Sequence, residues 1–288
     1  MITVTGSTGT IGAELVRLLS EAGVPVRAVM RDFSRIQPLP HVAWLQADLE
    51  DKRVLEPALA GSRVLFLLTG NKFGFGETQI EVIREAERLG VEHVVKLSAL
   101  GASPRTQAPL AREHYEAEQA LEASSMSWTI LRPHTFMQNW LDDVAETVRN
   151  EQTIYAAIGD GRVPFIDTRD IAAVAAEALL NPERHAGQRY VLTGGEAVGY
   201  HALADELTEV TGTTITYRSL SEDEMRQRME SEGMSAKMID SYLALASYQR
   251  AGGPTERVSG SVRDILGREP RSIRDFVRDY RHEFLPLT

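Results

Sequence analysis

The sequence predicts an α/β protein with a Rossmann-like, doubly wound parallel sheet, and three observations lead to this prediction. Short apolar runs alternate with amphipathic helical patterns through the first half of the chain. The run Val64–Leu68 is apolar at every position, as expected of a strand that helices cover on both faces. A glycine-rich turn directly follows the first apolar run. Alternation of this kind builds right-handed βαβ units and therefore a parallel sheet.

Each element is predicted from its own periodicity. Predicted strands are Ile2–Thr5, Val26–Met30, Val42–Gln46, Val64–Leu68, Val94–Ser98, Trp128–Leu131, Gln188–Leu192 and Thr214–Arg218. Predicted helices, in which apolar residues recur every three or four positions, are Ile11–Glu21, Thr78–Leu89, Gln138–Arg149, Asp170–Leu180, Tyr200–Thr211 and Ser272–Phe284. We expect residues 1–150 to form a core to which 164–195 return. Residues 196–288 are expected to form a smaller, mostly helical C-terminal part that packs onto the sheet.

The composition restricts the class of function. The chain has 288 residues, no cysteine and a formal charge of −10. It therefore has no disulfide and no thiolate, and an acidic balance argues against nucleic-acid binding. No apolar run is long enough to span a bilayer and no basic flank precedes the first one, so we expect a cytoplasmic protein without a signal peptide or membrane contact. His185 and His201 are too isolated to indicate a metal site.

The turn Gly6-Ser7-Thr8-Gly9-Thr10-Ile11-Gly12 lies between a predicted strand and a predicted helix. A pyrophosphate needs a tight turn that it can approach closely and a helix N-terminus with free N–H groups. The motif in this context predicts a dinucleotide site, and a glycine-rich turn without a ligand is the alternative. The residues expected to contact the dinucleotide are Gly6, Thr8, Gly9, Thr10, Ile11 and Gly12.

The end of the second strand indicates which dinucleotide is bound. NAD enzymes place an acidic residue there to bind the ribose 2′-hydroxyl, whereas this chain has Met30 followed by Arg31. A guanidinium suits a 2′-phosphate, and Arg35, one turn on, is a second candidate. Asp32 is the opposing observation, because its carboxylate could pair with Arg31 or bind a hydroxyl. The balance favours NADPH over NADH.

Several segments together resemble the NmrA-like family of atypical short-chain dehydrogenases. The resemblance runs from Met1 to about Gly212 and is weaker beyond. The family includes NADPH-dependent quinone, azo-dye and triphenylmethane-dye reductases, plant phenylpropanoid ether reductases, and redox-sensing regulators that bind dinucleotide without turnover. The segments that carry the resemblance are the glycine motif, Val94–Ser98, Trp128–Pro133, Phe136–Asn139, Pro164–Ala172, Gly187–Gly195 and Tyr200–Gly212.

This resemblance implies further cofactor contacts at the strand ends. Asp48 and Leu49, after the third strand, fall where the superfamily caps the adenine ring. Asp48 could equally be the N-cap of a helix beginning at Glu50, and the two roles are compatible. At the ends of the fourth and sixth strands, the residues expected beside the cofactor are Leu68, Thr69, Gly70 and Pro133.

Short-chain dehydrogenases use a tyrosine acid and a lysine four residues later on one helix, and this chain lacks that pair. The matching helix is predicted over Arg112–Ala123, where His114 falls on the lysine position and Leu110 on the tyrosine position. The resemblance to dye and quinone reductases implies that His114 binds the nicotinamide ribose or relays a proton. A surface histidine bonded to Glu118 is the alternative. Ser98, at the end of the fifth strand, is a second candidate donor, or only a turn cap.

The segment after the sixth strand is the candidate substrate site, because open α/β sheets bind ligands at the carboxyl ends of their strands. Phe136, Met137 and Trp140 could form an apolar wall for a flat ring system, and Asn139 could orient a carbonyl. Phe136 and Trp140 could also be core residues.

We therefore expect an NADPH-dependent reductase that transfers hydride to a small conjugated acceptor, such as a quinone, enone, imine or dye. A non-catalytic NADP-binding redox sensor and a biosynthetic tailoring enzyme on the same fold are the alternatives. The expected assembly is a monomer or homodimer.

Overall fold

The computed structural model describes residues 1–36, 38–70 and 72–286. Its strands are β1 Ile2–Val4, β2 Val26–Met30, β3 Val42–Gln46, β4 Val64–Leu67, β5 His93–Leu97, β6 Ser127–Pro133, β7 Thr153–Ala156, β8 Gln188–Leu192 and β9 Thr216–Ser219. Its helices are α1 Thr10–Glu21, α2 Leu55–Leu59, α3 Phe75–Arg88, α4 Pro109–Glu122, α5 Asn139–Asp143, α6 Ala145–Glu151, α7 Thr168–Leu180, α8 Pro182–His185, α9 Tyr200–Thr211, α10 Glu222–Ser231, α11 Ala236–Arg250, α12 Ser261–Leu266, α13 Ile273–Asp279 and α14 Arg281–Phe284. Short 3₁₀ turns occupy Phe33–Arg35, Lys52–Val54 and Gly253–Glu256.

The described residues divide into two compact units. The first comprises 1–133, 168–192 and 265–267, and the second comprises 134–167, 193–264 and the described residues from 268 onward. The predicted boundary at residue 150 and the predicted packing of 196–288 onto the sheet stay predictions.

The first unit is built on a sheet that, within the described ranges, has seven strands in the order β3-β2-β1-β4-β5-β6-β8. Every neighbouring pair in it is parallel. The chain runs outward from β1 in one direction, then returns to the other side of β1 at β4, which makes the sheet doubly wound. All four residues of β4 and all five of β5 are buried, and for β4 the continuous apolar run predicts this burial. The predicted fold class is confirmed.

The second unit has its own apolar core, formed mainly by helices and by the parallel pair β7 and β9. Trp140 belongs to this core, and its ring centroid lies 4.8 Å from that of Phe165 and 5.4 Å from that of Phe276. Leu203 and Leu207 of α9 are fully buried in the same core. No helix in the described part of the chain combines the length and the apolar character that crossing a membrane requires.

Among the differences between predicted and observed element boundaries, three have identifiable reasons. The predicted helix over 138–149 is interrupted at Val144, whose φ of −117° departs from helical geometry. The predicted helix over 272–284 is interrupted at Tyr280 in the same way, with φ −103°. Helix α3 begins at Phe75, before the predicted Thr78, because the Glu113 carboxylate of α4 accepts hydrogen bonds from the N–H groups of Gly74 and Gly76.

Candidate functional site

The glycine motif forms a cradle between β1 and α1, at the carboxyl edge of the sheet. Gly6 has φ +63°, and a Cβ placed there would lie 2.9 Å from the backbone oxygen of Leu68. A Cβ at Gly12 would lie 2.1 Å from the backbone oxygen of Gly6. Both positions therefore require glycine, the first for its conformation and the second because the helix packs directly on the turn.

The start of α1 is left open toward this cradle. Its N-cap is Gly9, which supplies no capping side chain, so the N–H groups of the first turn at Thr10, Ile11 and Gly12 point to the open side. Gly9 and Thr10 are exposed and Thr8 is half-buried. Free N–H groups at the positive end of a helix favour an anion, and the lack of side chains leaves room for a pyrophosphate. The predicted motif thus has the shape and charge that a dinucleotide needs.

Buried polar side chains hold the cradle in place. The Ser7 hydroxyl donates to the backbone oxygen of Val29, 2.8 Å away, which ties the turn to β2. The Thr5 hydroxyl donates to the Leu68 oxygen at 2.8 Å and accepts from the Leu68 N–H at 2.9 Å. These bonds fix the turn after β1 against the ends of β2 and β4.

The Arg31 side chain lies near Gly70, in the segment that follows β4. A Cβ on Gly70 would lie 3.9 Å from Nη2 of Arg31, so the exposed guanidinium extends over the segment that follows β4. The Asp32 carboxylate accepts hydrogen bonds from the N–H and the hydroxyl of Ser34, at 2.8 and 2.7 Å, and caps the next turn. Asp32 therefore has a role as a turn cap, and its presence after β2 does not require that it bind a ribose hydroxyl. Arg35 belongs to the same turn, but its side chain lies outside the described part of the structure.

The other predicted cofactor contacts lie along the same edge. Asp48 is exposed and accepts a hydrogen bond from the Glu50 N–H at 3.2 Å. The expectation that Asp48 caps a helix from Glu50 is wrong, since the next helical turn begins at Lys52 and is capped by Asp51. Leu49 packs against the core of the first unit.

The ends of β4 and β6 hold the remaining predicted contacts. The Thr69 hydroxyl accepts from the Gln79 side-chain amide at 2.9 Å. Pro133 ends β6, and its oxygen accepts from the Leu100 N–H at 3.1 Å. Whether these residues contact a cofactor stays a prediction.

A buried lysine is the main feature that the sequence reasoning missed. Lys96 is fully buried on β5, and its Nζ lies 3.3 Å from Nδ1 of His114 on α4 and donates to the Leu97 backbone oxygen at 3.0 Å. Burial lowers the pKa of Lys96 to about 7, although the Glu118 carboxylate acts in the opposite direction. Helix α4 has His114 at the position where short-chain dehydrogenases have a lysine. The neighbouring strand β5 places Lys96 beside His114.

His114 is buried as well. It is only 8% exposed, and its ring packs on Phe75 with centroids 4.6 Å apart. Burial, assisted by the nearby Lys96 charge, moves the pKa of His114 well below its usual range. The imidazole is therefore neutral near pH 7. The alternative of a surface histidine is wrong.

Glu118, one turn beyond His114, has partners of its own. Its fully buried carboxylate accepts a hydrogen bond from the Ser98 hydroxyl and a two-point bond from Arg132, whose Nε lies 2.9 Å from Oε1. The Ser98 hydroxyl donates to Glu118, and this contact indicates that Ser98 stabilises the Glu118–Arg132 ion pair. Ser98 as a catalytic donor stays a prediction.

The predicted substrate residues lie in the second unit and have different exposures. Met137 and Trp140 belong to its core, 2% and 1% exposed. Phe136 is half-buried and pairs with Ile166 in an isolated bridge, whereas Asn139 is exposed at the start of α5. For Trp140 the core alternative is confirmed. A substrate role for these residues stays a prediction.

Comparison with known proteins is decisive for the family. The sequence matches the NmrA-like family over residues 1–277. The chain belongs to the NmrA-like family. This confirms the resemblance inferred from the motifs.

Individual known proteins are similar to this chain over nearly its whole length. The NAD(P)H azoreductase of Xenophilus azovorans is 33% identical over 289 residues, 99% of each chain. The (4-alkanoyl-5-oxo-2,5-dihydrofuran-3-yl)methyl phosphate reductase of Streptomyces griseus is 32% identical over 99% of this chain and 100% of its own. The NADPH-dependent quinone oxidoreductase of Escherichia coli, solved with NADPH, has a TM-score of 0.86 at 28% identity, covering 97% of this chain and 99% of its own.

Proposed function

We propose that this NmrA-like protein is an NADPH-dependent reductase that transfers hydride to a small conjugated acceptor, such as a quinone, enone, imine or dye. The observation that carries the proposal is the arrangement along one sheet edge. The glycine cradle follows β1, the Arg31 guanidinium follows β2, and the Lys96–His114 pair joins β5 to α4.

NADPH fits the residues of the first unit. Gly6, Gly9 and Gly12 leave the space that side chains would fill, and the open N-terminus of α1 favours the pyrophosphate. Arg31 supplies positive charge and a planar set of donors for a 2′-phosphate, which NADH lacks. Other expected cofactor contacts are Thr8, Thr10, Ile11, Arg35, Asp48, Leu49, Leu68, Thr69, Gly70 and Pro133.

The similar proteins support both the cofactor and the type of acceptor. One is named an azoreductase that uses NAD(P)H, one reduces an oxo-dihydrofuran phosphate, and one is an NADPH-dependent quinone oxidoreductase solved with NADPH. Azo groups, quinones and oxo-dihydrofurans are all conjugated, electron-poor acceptors. The shared feature of the substrates is therefore a π system that can accept hydride.

The bound nicotinamide would supply the hydride, and the protein supplies orientation and a proton or hydrogen-bond donor. Conjugated acceptors delocalise the negative charge that hydride brings, so they do not require a strong acid. This agrees with the absence of the tyrosine–lysine pair. We assign the donor role to His114, whose neutral ring carries one N–H.

The proposed substrate contacts, cellular location and oligomeric state are those that the sequence predicts. Phe136, Met137, Asn139 and Trp140 are the proposed substrate residues, with Phe136 and Asn139 nearer the surface of their unit. The substrate is a small molecule. We further propose a cytoplasmic monomer or homodimer, in line with the acidic, cysteine-free composition.

A panel of acceptors tests this function. NADPH oxidation is followed by its absorbance with quinones, enones, imines, azo dyes and triphenylmethane dyes, and NADPH and NADH affinities are measured by titration. We expect turnover with at least one acceptor, a strong loss in His114→Ala, and no change in the control His282→Ala, whose side chain is 70% exposed. Tight NADPH binding without oxidation by any acceptor would favour the non-catalytic sensor.

A further inference from the structure

A buried lysine in the middle of a sheet requires an explanation. Lys96 follows Val94 and Val95 on β5, and its side chain has no exposed surface. Burying an ammonium is costly, and a methionine of similar volume would avoid that cost. The lysine makes two contacts that methionine could not make, at 3.0 Å to the Leu97 oxygen and at 3.3 Å to His114 Nδ1.

The contact with His114 has a chemical consequence. A neutral imidazole carries one N–H and one bare nitrogen, and an ammonium can only donate. When Lys96 donates to Nδ1, that nitrogen must be bare and the proton must be on Nε2. The Phe75 ring packed on the imidazole, with centroids 4.6 Å apart, limits rotation that would exchange the two nitrogens.

We propose that Lys96 is a positioning residue that fixes the tautomer of His114, so that Nε2 carries the proton and His114 presents a hydrogen-bond donor. The inference rests on the proposed function for its catalytic meaning, because a donor at Nε2 is what the reduced acceptor or the nicotinamide ribose would use. The tautomer itself does not depend on turnover.

The charged surroundings of Lys96 are consistent with this role. Glu118 on α4 favours the ammonium form, and Arg132 on β6 opposes it. The Glu118 carboxylate is bonded to Arg132 and Ser98, so it stabilises the ammonium from a distance while leaving His114 as its direct partner. With its pKa at about 7, Lys96 is an ammonium at and below neutral pH, and in that form it can only donate to His114.

The test is nitrogen-15 NMR of the histidine rings, with and without NADP⁺ bound. Two-bond proton–nitrogen correlations distinguish a ring protonated at Nε2 from one protonated at Nδ1, and the His114 signal is identified by its absence in His114→Asn. We expect wild-type His114 to be protonated at Nε2. In Lys96→Met we expect a mixture of tautomers. A wild-type ring protonated at Nδ1 would overturn the proposal.

Kinetics of the same variants complete the test. We expect kcat of Lys96→Met to fall by at least about 10-fold, the direction seen when the partner that sets a catalytic histidine's tautomer is removed. The control Lys52→Met, which loses an exposed lysine paired with Glu81, should leave both the spectrum and kcat unchanged.

An unchanged His114 spectrum in Lys96→Met would contradict the inference. A protein that oxidises NADPH with none of the acceptors but has the expected tautomer would refute the proposed function and leave this inference standing.

Discussion

Glu118 and Arg132 form a two-point ion pair inside the first unit, with the Arg132 Nε 2.9 Å from Oε1 of a fully buried carboxylate. Removing the Glu118 charge leaves the Arg132 guanidinium, whose side chain is 19% exposed, without its partner, and we expect a cost of about 3 kcal/mol, the lower end of the range for a buried pair. We expect Glu118→Gln to lower the free energy of unfolding by that amount, measured by urea denaturation. The control Glu116→Gln lies on the same helix, but its carboxylate is 56% exposed, so it should change stability by less than about 0.5 kcal/mol. Equal stability of the two variants would contradict the assigned role of this pair.

The burial of Lys96 predicts a pH dependence of stability. Its pKa is lowered to about 7 in the folded protein, from 10.5, the ordinary pKa of a lysine in an unfolded chain. Between these values the unfolded state binds more protons, so the contribution of Lys96 to stability rises with pH across this window, with a limiting slope of about 1.4 kcal/mol per pH unit. Below about pH 7 the full energetic cost of burying the Lys96 ammonium remains, because the lysine is then protonated in both the folded and the unfolded state.

The difference in unfolding free energy between Lys96→Met and wild type isolates this effect from other titrating groups. We expect the variant to be the more stable protein near pH 7, and its advantage to shrink steadily toward about pH 9.5, measured by urea denaturation at each pH. A difference that stays constant over this range would show that Lys96 titrates normally.

Two alanine substitutions in the glycine cradle should separate an effect on stability from an effect on NADPH binding. A Cβ at Gly12 would lie 2.1 Å from a backbone oxygen, so Gly12→Ala should lower stability by at least about 2 kcal/mol and abolish NADPH binding. A Cβ at Gly9 meets only the Gly6 oxygen, at 3.4 Å, so Gly9→Ala should fold almost normally. It should nevertheless bind NADPH more weakly, because the methyl group narrows the cradle. Thermal unfolding and fluorescence titration measure the two effects, and normal NADPH binding by both variants would place the cofactor elsewhere.

We expect the Arg31 guanidinium to determine the preference for NADPH over NADH. Replacing its guanidinium in Arg31→Gln removes charge-assisted hydrogen bonds to the 2′-phosphate, typically about 1.5–3 kcal/mol, or about 10- to 100-fold in Kd. The affinity for NADH should hardly change. Arg53→Gln is the control, because Arg53 is 89% exposed and pairs with Asp51. An Arg31→Gln protein that still prefers NADPH would assign the 2′-phosphate to another residue.

Much of the fold is predictable from the sequence because continuous apolar runs and glycine turns are local signals. The strands of the main sheet all begin and end within two residues of the predicted bounds, and the Gly6–Gly12 turn lies where the motif places it. Strand β7 was missed, because its apolar pattern is short and its partner β9 lies 63 residues away along the chain. The early start of α3 was missed for a related reason, since the stabilising carboxylate of Glu113 comes from another helix.

The candidate site was only partly predictable. His114 was identified by its place on the helix, but its burial and its partner depend on which strand lies beside that helix. Lys96 itself carries a sequence signal, because it is a charged residue in a strand that otherwise contributes Val94, Val95 and Leu97 to the core. A lysine at such a position is either paired or functional, and the sequence alone does not identify its partner.

Deuterium transfer tests the central claim most directly. The protein is incubated with NADPH carrying deuterium at C4 of the nicotinamide and with each acceptor in the panel, and the products are analysed by mass spectrometry. The account predicts that deuterium appears in the reduced form of at least one conjugated acceptor, and that His114→Ala greatly slows its appearance. Tight binding of NADPH with no deuterium in any product would contradict the assignment as a reductase of conjugated acceptors.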